Sequence, residues 1–178
     1  MKKIIFTCGI IGGLVSVSWY IFSSQVFKVD MGMNERLFFG YASMVLAFSL
    51  IFVGVKNFRD NYNGGVISFG KALKIGLLIT LIASTVYVVI WMIDFSYFVP
   101  DYGEKYTAQA LAEMKASGLS AAEIQRQGAE MTATMAKYKT SPAFRIMFTY
   151  LEIAPVGIVI SLIAALILKK SKSVVVTA

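Results

Sequence analysis

Four long apolar runs, more than any other feature, limit what this chain can fold into. They cover residues 4–22, 37–55, 75–93 and 146–168, and the only charged residue inside them is Glu152. A helix needs about 20 apolar residues to cross a bilayer. Each run is expected to be helical, because lipid offers no hydrogen-bonding partner to an unpaired backbone group. The sequence therefore predicts an all-α fold, a polytopic membrane protein with four transmembrane helices.

The composition agrees with a chain that faces lipid. Hydrophobic residues make up 57% and charged residues 15% of the 178 residues, whereas soluble domains have about 45–50% and about 25%. A soluble domain of this length would leave much of that apolar area exposed to water. The basic residues behind the net charge of +7 cluster beside the apolar runs. This placement favours the lipid bilayer, and not nucleic acid, as the partner.

The distribution of basic residues predicts the orientation of the chain. Lysine and arginine cluster at the N-terminal end, in the connection of residues 56–74 and in the C-terminal tail, whereas the 94–145 connection has six basic and six acidic residues. By the positive-inside rule, the first three regions are cytoplasmic and the 94–145 connection is extracytoplasmic. We therefore expect a multi-pass protein of the bacterial inner membrane with both termini in the cytoplasm.

An alternative interpretation makes residues 1–24 a cleaved signal peptide, because two lysines precede the first apolar run. That run is longer than the usual signal-peptide core of about 7–15 residues. Trp19 and Tyr20 are also typical of anchors at a membrane interface. An uncleaved first span is the favoured interpretation, and cleavage would leave the orientation of the other three spans unchanged.

The third connection predicts two amphipathic helices over residues 102–140. Gly118 breaks the pattern, and Ser120 followed three residues later by Glu123 has the spacing of a capping box. Apolar side chains recur at helical spacing on both sides of the break: Tyr102, Tyr106, Leu111 and Met114 before it, and Ile124, Met131, Met135 and Tyr138 after it. An extracytoplasmic helical hairpin with one apolar side, ended by Ser141–Pro142, is therefore expected between the third and fourth spans.

Small residues recur at four-residue spacing in the spans, a pattern that lets helix backbones approach closely. They include Gly9 and Gly13 in the first span, Gly76 in the third, and Gly157 and Ser161 in the fourth. We expect one compact four-helix bundle that forms a single membrane domain over residues 1–178. Homodimerisation through Gly9 and Gly13 is an alternative use of the same pattern.

Glu152 and Pro155 interrupt the last apolar run. An intramembrane carboxylate often marks a proton or cation path. Glu152 lies only about six residues into the run, roughly 9 Å at ~1.5 Å per residue, so it could instead reach the interface or bind a neighbouring helix. Pro155 has no N–H, which leaves the Leu151 carbonyl unpaired and bends the helix. The structural role and the cation site are both open for Glu152, and its partner is expected on another helix.

Four further charged residues are candidates at the two ends of the third span. Asp94 and Asp101 bracket its exit and could join Glu152 in an outer acidic cation site. The alternative is that they are ordinary interface charges beside a turn. Lys71 and Lys74 share one side of the incoming helix, where they either bind an anionic headgroup or only set the topology.

The sequence contains no recognisable catalytic, cofactor or metal site. It has no histidine and one cysteine, Cys8, which removes the usual zinc, haem and histidine-based catalytic arrangements. The glycines lack the spacing of a nucleotide-binding loop, and no serine has a recognisable base. We therefore predict a protein that is not an enzyme and needs no cofactor.

Four short segments carry a family resemblance: SFGKALKIG before the third span, VPDYGEKY after it, GLSAAEIQ followed by a methionine-rich helix, and YLEIAPVGIVISLIAALILKK at the end. In this order they resemble the domain-of-unknown-function 4199 (DUF4199) family, and together they cover nearly the whole chain. The resemblance implies a multi-pass bacterial membrane protein of one domain. It implies no reaction, ligand or catalytic residue, because the family has no assigned activity.

The predicted function is that of a non-enzymatic inner-membrane protein whose helical bundle presents the amphipathic hairpin to lipid or to a partner protein. The alternative is a small oligomeric transporter or channel in which Glu152 is an intramembrane proton or cation site.

Overall fold

Helices account for almost all of the chain that the structure describes. The computed structural model describes residues 1–22 and 32–171. In chain order its helices are α1 (Lys2–Ile21), α2 (Met33–Phe48), α3 (Leu50–Tyr62), α4 (Phe69–Tyr97), α5 (Tyr102–Ala116), α6 (Ala121–Thr140) and α7 (Pro142–Leu168). These described residues contain no β-strand, and the predicted all-α fold is confirmed.

Within residues 1–22 and 32–171, four helical segments are long and apolar enough to cross a membrane. They are Lys2–Trp19 of α1, the segment from Asn34 to Tyr62 that comprises most of α2 and all of α3, the whole of α4, and the whole of α7. The predicted runs 75–93 and 146–168 lie inside the longer helices α4 and α7. The helical backbone continues through the charged residues Lys74, Asp94 and Arg145, which flank the runs. These four segments indicate a membrane-embedded protein.

The second span is divided at Ser49, although the 37–55 run predicts one helix. The Ser49 N–H lies 3.0 Å from the carbonyl oxygen of Val45 and 3.2 Å from that of Leu46. The Ser49 hydroxyl donates to the same Leu46 carbonyl at 2.6 Å, and such local bonds compete with the regular helical pattern. The chain keeps its direction through this point, because Ser49 retains right-handed helical torsion angles.

Helix α4 lies at the centre of the bundle and packs against α1, α3 and α7. Its buried stripe recurs every three or four residues and includes Ala72, Ile75, Ile79 and Ala83. Phe48, Ile51 and Ile153 from α2, α3 and α7 are almost fully inaccessible in the same core. Ile5, Cys8 and Val17 of α1 belong to the same core, which therefore joins all four spans around α4.

Glycines lie at the closest contacts between helices. Gly9 and Gly13 of α1 face α4, where a Cβ added to Gly9 would stand 2.6 Å from Cγ2 of Ile82. Gly76 of α4 faces α7, where an added Cβ would stand 2.8 Å from Oγ of Ser161. The face of α1 that carries Gly9 and Gly13, which was the alternative site for homodimerisation, is thus occupied by α4 of the same chain.

The connection before α4 is fastened to the end of α7. Ile67 and Lys170 exchange two backbone hydrogen bonds of 2.9 Å. Arg59 adds a 3.2 Å bond from Nη1 to the carbonyl of Leu168. The α3–α4 connection and the C-terminal end of α7 therefore lie at one end of the bundle, as they must if they share one side of the membrane.

Helices α5 and α6 occupy the predicted 102–140 segment and pack against each other. Gly118 between them has φ +76°, a left-handed conformation that suits glycine. Ser120 caps α6, with its Oγ accepting the Glu123 N–H at 3.3 Å, which confirms the predicted cap. The Glu123 carboxylate accepts hydrogen bonds from Arg126 and a neighbouring glutamine, so it does not complete the capping box.

Candidate binding cavity

A cavity of about 280 Å³ lies between the spans and the α5–α6 pair. Six helices contribute its lining, which consists of Ser16, Trp19, Arg36, Leu37, Gly40, Tyr41, Ser43, Met44, Tyr87, Trp91, Tyr102, Tyr106, Met135, Tyr138, Phe148 and Glu152. Trp91 lies about 33 Å along α4 from Phe69, at ~1.5 Å per residue. The cavity is therefore near the end of the bundle opposite to the Ile67–Lys170 contact.

Aromatic side chains form half of this lining. They are Trp19, Tyr41, Tyr87, Trp91, Tyr102, Tyr106, Tyr138 and Phe148. The rings also pack on each other: those of Trp91 and Tyr102 meet edge to face with centroids 5.1 Å apart. A concave aromatic wall with a few polar groups is typical of a small-molecule site.

Two charged side chains of opposite sign share the cavity. Arg36 of α2 is half-buried, and Glu152 of α7 is accessible. Neither side chain forms an ion pair within the part of the chain that the structure describes. The partner that was expected for Glu152 on another helix is not found among the described residues, although α1, α2, α4, α5 and α6 all contribute to the same lining.

A buried hydrogen-bond chain holds the aromatic wall in place. The Trp91 indole N–H donates to the Tyr138 hydroxyl at 2.5 Å, and that hydroxyl lies 3.3 Å from the Thr149 hydroxyl. Burial raises the pKa of the Tyr138 phenol, and the nearby Glu152 carboxylate adds to the rise. The phenol therefore stays neutral over the physiological pH range and bridges α4, α6 and α7.

Arg145 is a buried cation beside this chain of hydrogen bonds. Only 5% of it is exposed, and its guanidinium carbon lies 3.8 Å from the centroid of the Phe95 ring. Its Nε has no hydrogen-bond partner among the described residues. The Phe95 and Tyr138 rings stabilise this charge by cation–π attraction. Arg145 does not line the cavity, so its evident role is to join α7 to the aromatic cluster.

The three carboxylates that the sequence groups into an outer acidic site differ in their surroundings in the structure. Asp94 is only 5% exposed, and its interpretation as an interface charge stays a prediction. Asp101 is exposed and forms a 2.8 Å ion pair with Lys105, and Glu152 lines the cavity. No group of three histidine, cysteine, aspartate or glutamate side chains that could hold a metal ion occurs in residues 1–22 and 32–171. These three carboxylates therefore do not form the predicted cation site.

The remaining candidates lie outside the cavity. The Lys71 ammonium donates to Oδ1 of Asn63 at 2.8 Å and lies 5.0 Å from the centroid of the Phe58 ring. Lys74 is exposed nearly one turn further along α4, and Pro155 is exposed inside α7, three residues after Glu152. Lys71 thus stabilises the α3–α4 connection.

Sequence reasoning did not identify Arg36 and Arg145 as special. Each lies beside an apolar run, where a basic residue normally sets topology. One signal was available for Arg36: Gly40, Ser43 and Met44 follow it at spacings of four, seven and eight residues. These positions share one helix face, and all four residues line the cavity.

The α5–α6 pair directs half of its predicted apolar side toward the cavity. Of the eight residues that define that side, Tyr102, Tyr106, Met135 and Tyr138 are part of the lining. Leu111 instead packs inside the pair, where a Cβ added to Gly128 would stand 2.7 Å from its Cδ2. The ion pair between Lys139 and Glu104 also links the two helices, and its hydrogen bond lowers the pKa of the Glu104 carboxyl.

Comparison with known proteins agrees with the family resemblance. The family model described as "Protein of unknown function (DUF4199)" matches residues 7–170, which is nearly the whole chain. No match was found among curated proteins or among solved structures. The matched region contains most of α1 and every other described helix. The chain therefore belongs to the DUF4199 family.

Proposed function

We propose that this protein is a non-enzymatic binding protein of the bacterial inner membrane, which holds a small ligand in the cavity beneath α5 and α6. The observation that carries the proposal is the cavity itself, because its aromatic lining encloses an accessible carboxylate and a guanidinium group. Side chains from six helices line this space. Protein interiors are normally close-packed, so an unfilled space of this kind is consistent with a ligand site. Ligand sites commonly occur between the helices of bundles.

In this proposal, α5 and α6 form a helical hairpin outside the cytoplasm that closes the cavity. Lys56, Arg59, Lys71, Lys74, Lys169 and Lys170 lie at the end of the bundle opposite to the cavity. The positive-inside rule supports a cytoplasmic position for that end, which leaves the cavity near the outer membrane surface. Contact of the outer face of the hairpin with lipid, a partner protein or a second copy stays a prediction.

We expect reporter fusions to give this orientation. A reporter that is active only in the periplasm should be active when fused at Gln125 of α6 and inactive when fused at Gly64 before α4. The reason is that the basic residues around Gly64 keep that connection in the cytoplasm. Alkaline phosphatase activity per fusion molecule is the measurement. The opposite pattern would contradict both the orientation and the proposed position of the cavity.

Filling the cavity should remove a bound ligand without harming the fold. Gly40 lines the cavity, and a Cβ added there would meet no atom within 4 Å. Gly40→Leu should therefore be tolerated, and it should even stabilise α2 by up to about 1 kcal/mol, because glycine is a poor helix residue. Native mass spectrometry of the full-length protein should show a bound small molecule in the wild type and its loss in Gly40→Leu.

Gly70→Leu is the matched control. Gly70 also lies in a helix where an added Cβ meets open space, but it is at the start of α4 and not in the lining. This variant should keep the bound molecule. A wild type without bound mass, or equal occupancy of all three proteins, would refute the binding function.

Transport is the second candidate, and it is favoured by an accessible carboxylate, Glu152, inside a helix that could span the membrane. It requires that ligand binding be coupled to movement of solute or protons. Proteoliposomes should then show a flux that Glu152→Gln abolishes while the variant remains folded. Ligand binding without flux would leave the protein as a binding protein.

A further inference from the structure

The cavity contains one anionic and one cationic side chain that do not neutralise each other. Glu152 and Arg36 both belong to its lining, yet no N···O contact within 4.0 Å links them to each other or to another charged residue that the structure describes. A charge in a partly enclosed site is costly when it has no counterpart. Each side chain would therefore gain from a ligand group of opposite charge.

From this arrangement we infer that the cavity binds a zwitterion, a ligand with both an organic ammonium group and an anionic group. The ammonium group lies against Glu152 and the aromatic wall, and the carboxylate or phosphate group lies against Arg36. This inference rests on the proposed binding function and adds the chemical class of the ligand.

The aromatic lining is suited to the ammonium half of the ligand. Ring faces of tryptophan and tyrosine attract ammonium groups, and a nearby carboxylate strengthens the attraction. Trp91 and Tyr138, which are held by their mutual hydrogen bond, lie in the same lining as Glu152. Just outside the lining, the Arg145 guanidinium over the Phe95 ring shows that aromatic rings in this molecule already hold a buried cation.

Arg36 is suited to the anionic half of the ligand. A guanidinium group presents a planar set of donors that matches a carboxylate or phosphate. A ligand with only a positive charge would bring a like charge toward Arg36, and one with only a negative charge would bring a like charge toward Glu152. A zwitterion avoids both penalties, so the pair of side chains selects against ligands that carry a single charge.

The opening of the cavity permits two sources of such a ligand. Leu37, Tyr41 and Phe148 are lining residues of α2 and α7 that are 45%, 46% and 41% exposed, and Glu152 of α7 is also exposed. We therefore place the opening of the cavity beside these residues of α2 and α7. A free small zwitterion could enter there, or an ethanolamine phospholipid could insert its headgroup while its acyl chains remain in the bilayer.

Tryptophan fluorescence provides a direct test, because both tryptophans of the chain, Trp19 and Trp91, line the cavity. Full-length protein in phosphatidylglycerol nanodiscs should be titrated with two zwitterions, glycerophosphoethanolamine and glycine betaine. Ethanolamine, choline and glycerol 3-phosphate are the singly charged probes, in the sense that each carries charge of one sign only. At least one zwitterion should give a saturable change and bind about tenfold tighter or more than any singly charged probe, since it alone satisfies both side chains.

Charge-neutral variants test which side chain binds which half of the ligand. Glu152→Gln and Arg36→Gln should each weaken zwitterion binding about tenfold or more, because each removes one charge-assisted contact. Glu123→Gln and Arg126→Gln are matched controls, since these residues form an exposed ion pair on α6 outside the lining. Two independent variants keep the test informative if one of them fails to fold.

Nanodiscs that contain phosphatidylethanolamine separate the two sources. If the lipid headgroup is the natural ligand, these nanodiscs should suppress the response to free glycerophosphoethanolamine; if a free molecule is the ligand, the response should be unchanged. Equal affinity for a singly charged probe, or zwitterion binding that neither variant changes, would overturn the inference while leaving the binding function intact. Absence of any saturable response to the zwitterions would also overturn it, and the Gly40→Leu comparison decides the binding function separately.

Discussion

Gly157→Leu should destabilise the protein by about 3 kcal/mol or more, because the site has no room for a side chain. Gly157 is buried in α7, and a Cβ added there would stand 2.7 Å from Oγ1 of Thr80 and 2.8 Å from Cε1 of Phe48. The three residues belong to α7, α4 and α2. Any larger side chain would therefore push α7 away from α4, and the 3.1 Å hydrogen bond between Thr80 and Ser161 would be lost with this contact.

Thermal unfolding in detergent, followed by gel filtration of the heated protein, measures this effect. Gly70→Leu is the control, because it adds the same side chain to α4 at a position where an added Cβ meets no atom within 4 Å. Gly157→Ala should lie between the wild type and Gly157→Leu. A midpoint shift for Gly157→Leu below about 4 °C, which corresponds to roughly 1–2 kcal/mol for a chain of this size, would show that α4 and α7 do not depend on this contact.

Tyr138→Ala should release α5 and α6 from the spans while the spans remain folded. Tyr138 is 5% exposed, packs edge to face on Phe95 with centroids 5.6 Å apart, and accepts the Trp91 N–H. Removal of a buried aromatic ring typically costs about 3–5 kcal/mol. The cost falls on the contact between α6 and the cluster formed with α4 and α7, whereas each span keeps its backbone hydrogen bonds within itself.

Hydrogen exchange followed by mass spectrometry separates these two regions of the protein. Peptides from α5 and α6 should exchange much faster in Tyr138→Ala, and peptides from α4 should remain protected. Tyr138→Phe keeps the ring and should cost only about 1–3 kcal/mol, the penalty of leaving the Trp91 N–H without its acceptor. Unchanged protection of α5 and α6 in Tyr138→Ala would show that their docking does not depend on the aromatic cluster.

The elements were largely predictable because the signals for them are local. Gly118, Ser120 and the Ser141–Pro142 pair act on their own backbone, and the structure places helix ends at these positions. The division of the second span at Ser49 was not predicted, because a serine within an apolar run is compatible with both a continuous and an interrupted helix. The predicted third and fourth spans are shorter than the helices that contain them. Their limits were set at charged residues, and a charged residue does not by itself end a helix.

The candidate site was only partly predictable. Glu152 stands out in the sequence because a carboxylate within an apolar run is rare, and the structure places it in the cavity. Asp94 was paired with Asp101 because the two are close in sequence, but one side chain is buried and the other is exposed. Arg36 was missed because its importance depends on Glu152, which is 116 residues away in the chain.

The sequence by itself determined that the chain is helical and has four segments able to cross a membrane. In lipid, every backbone group of a span must be paired within that segment, so a local apolar run is enough to specify a helix. Only the tertiary structure decided which faces of the helices meet. The spans are apolar on all sides, and an apolar pattern does not distinguish a face that contacts lipid from one that contacts protein. The packing of α5 and α6 on the bundle therefore encloses the aromatic cavity with its two opposite charges. The same packing buries Arg145.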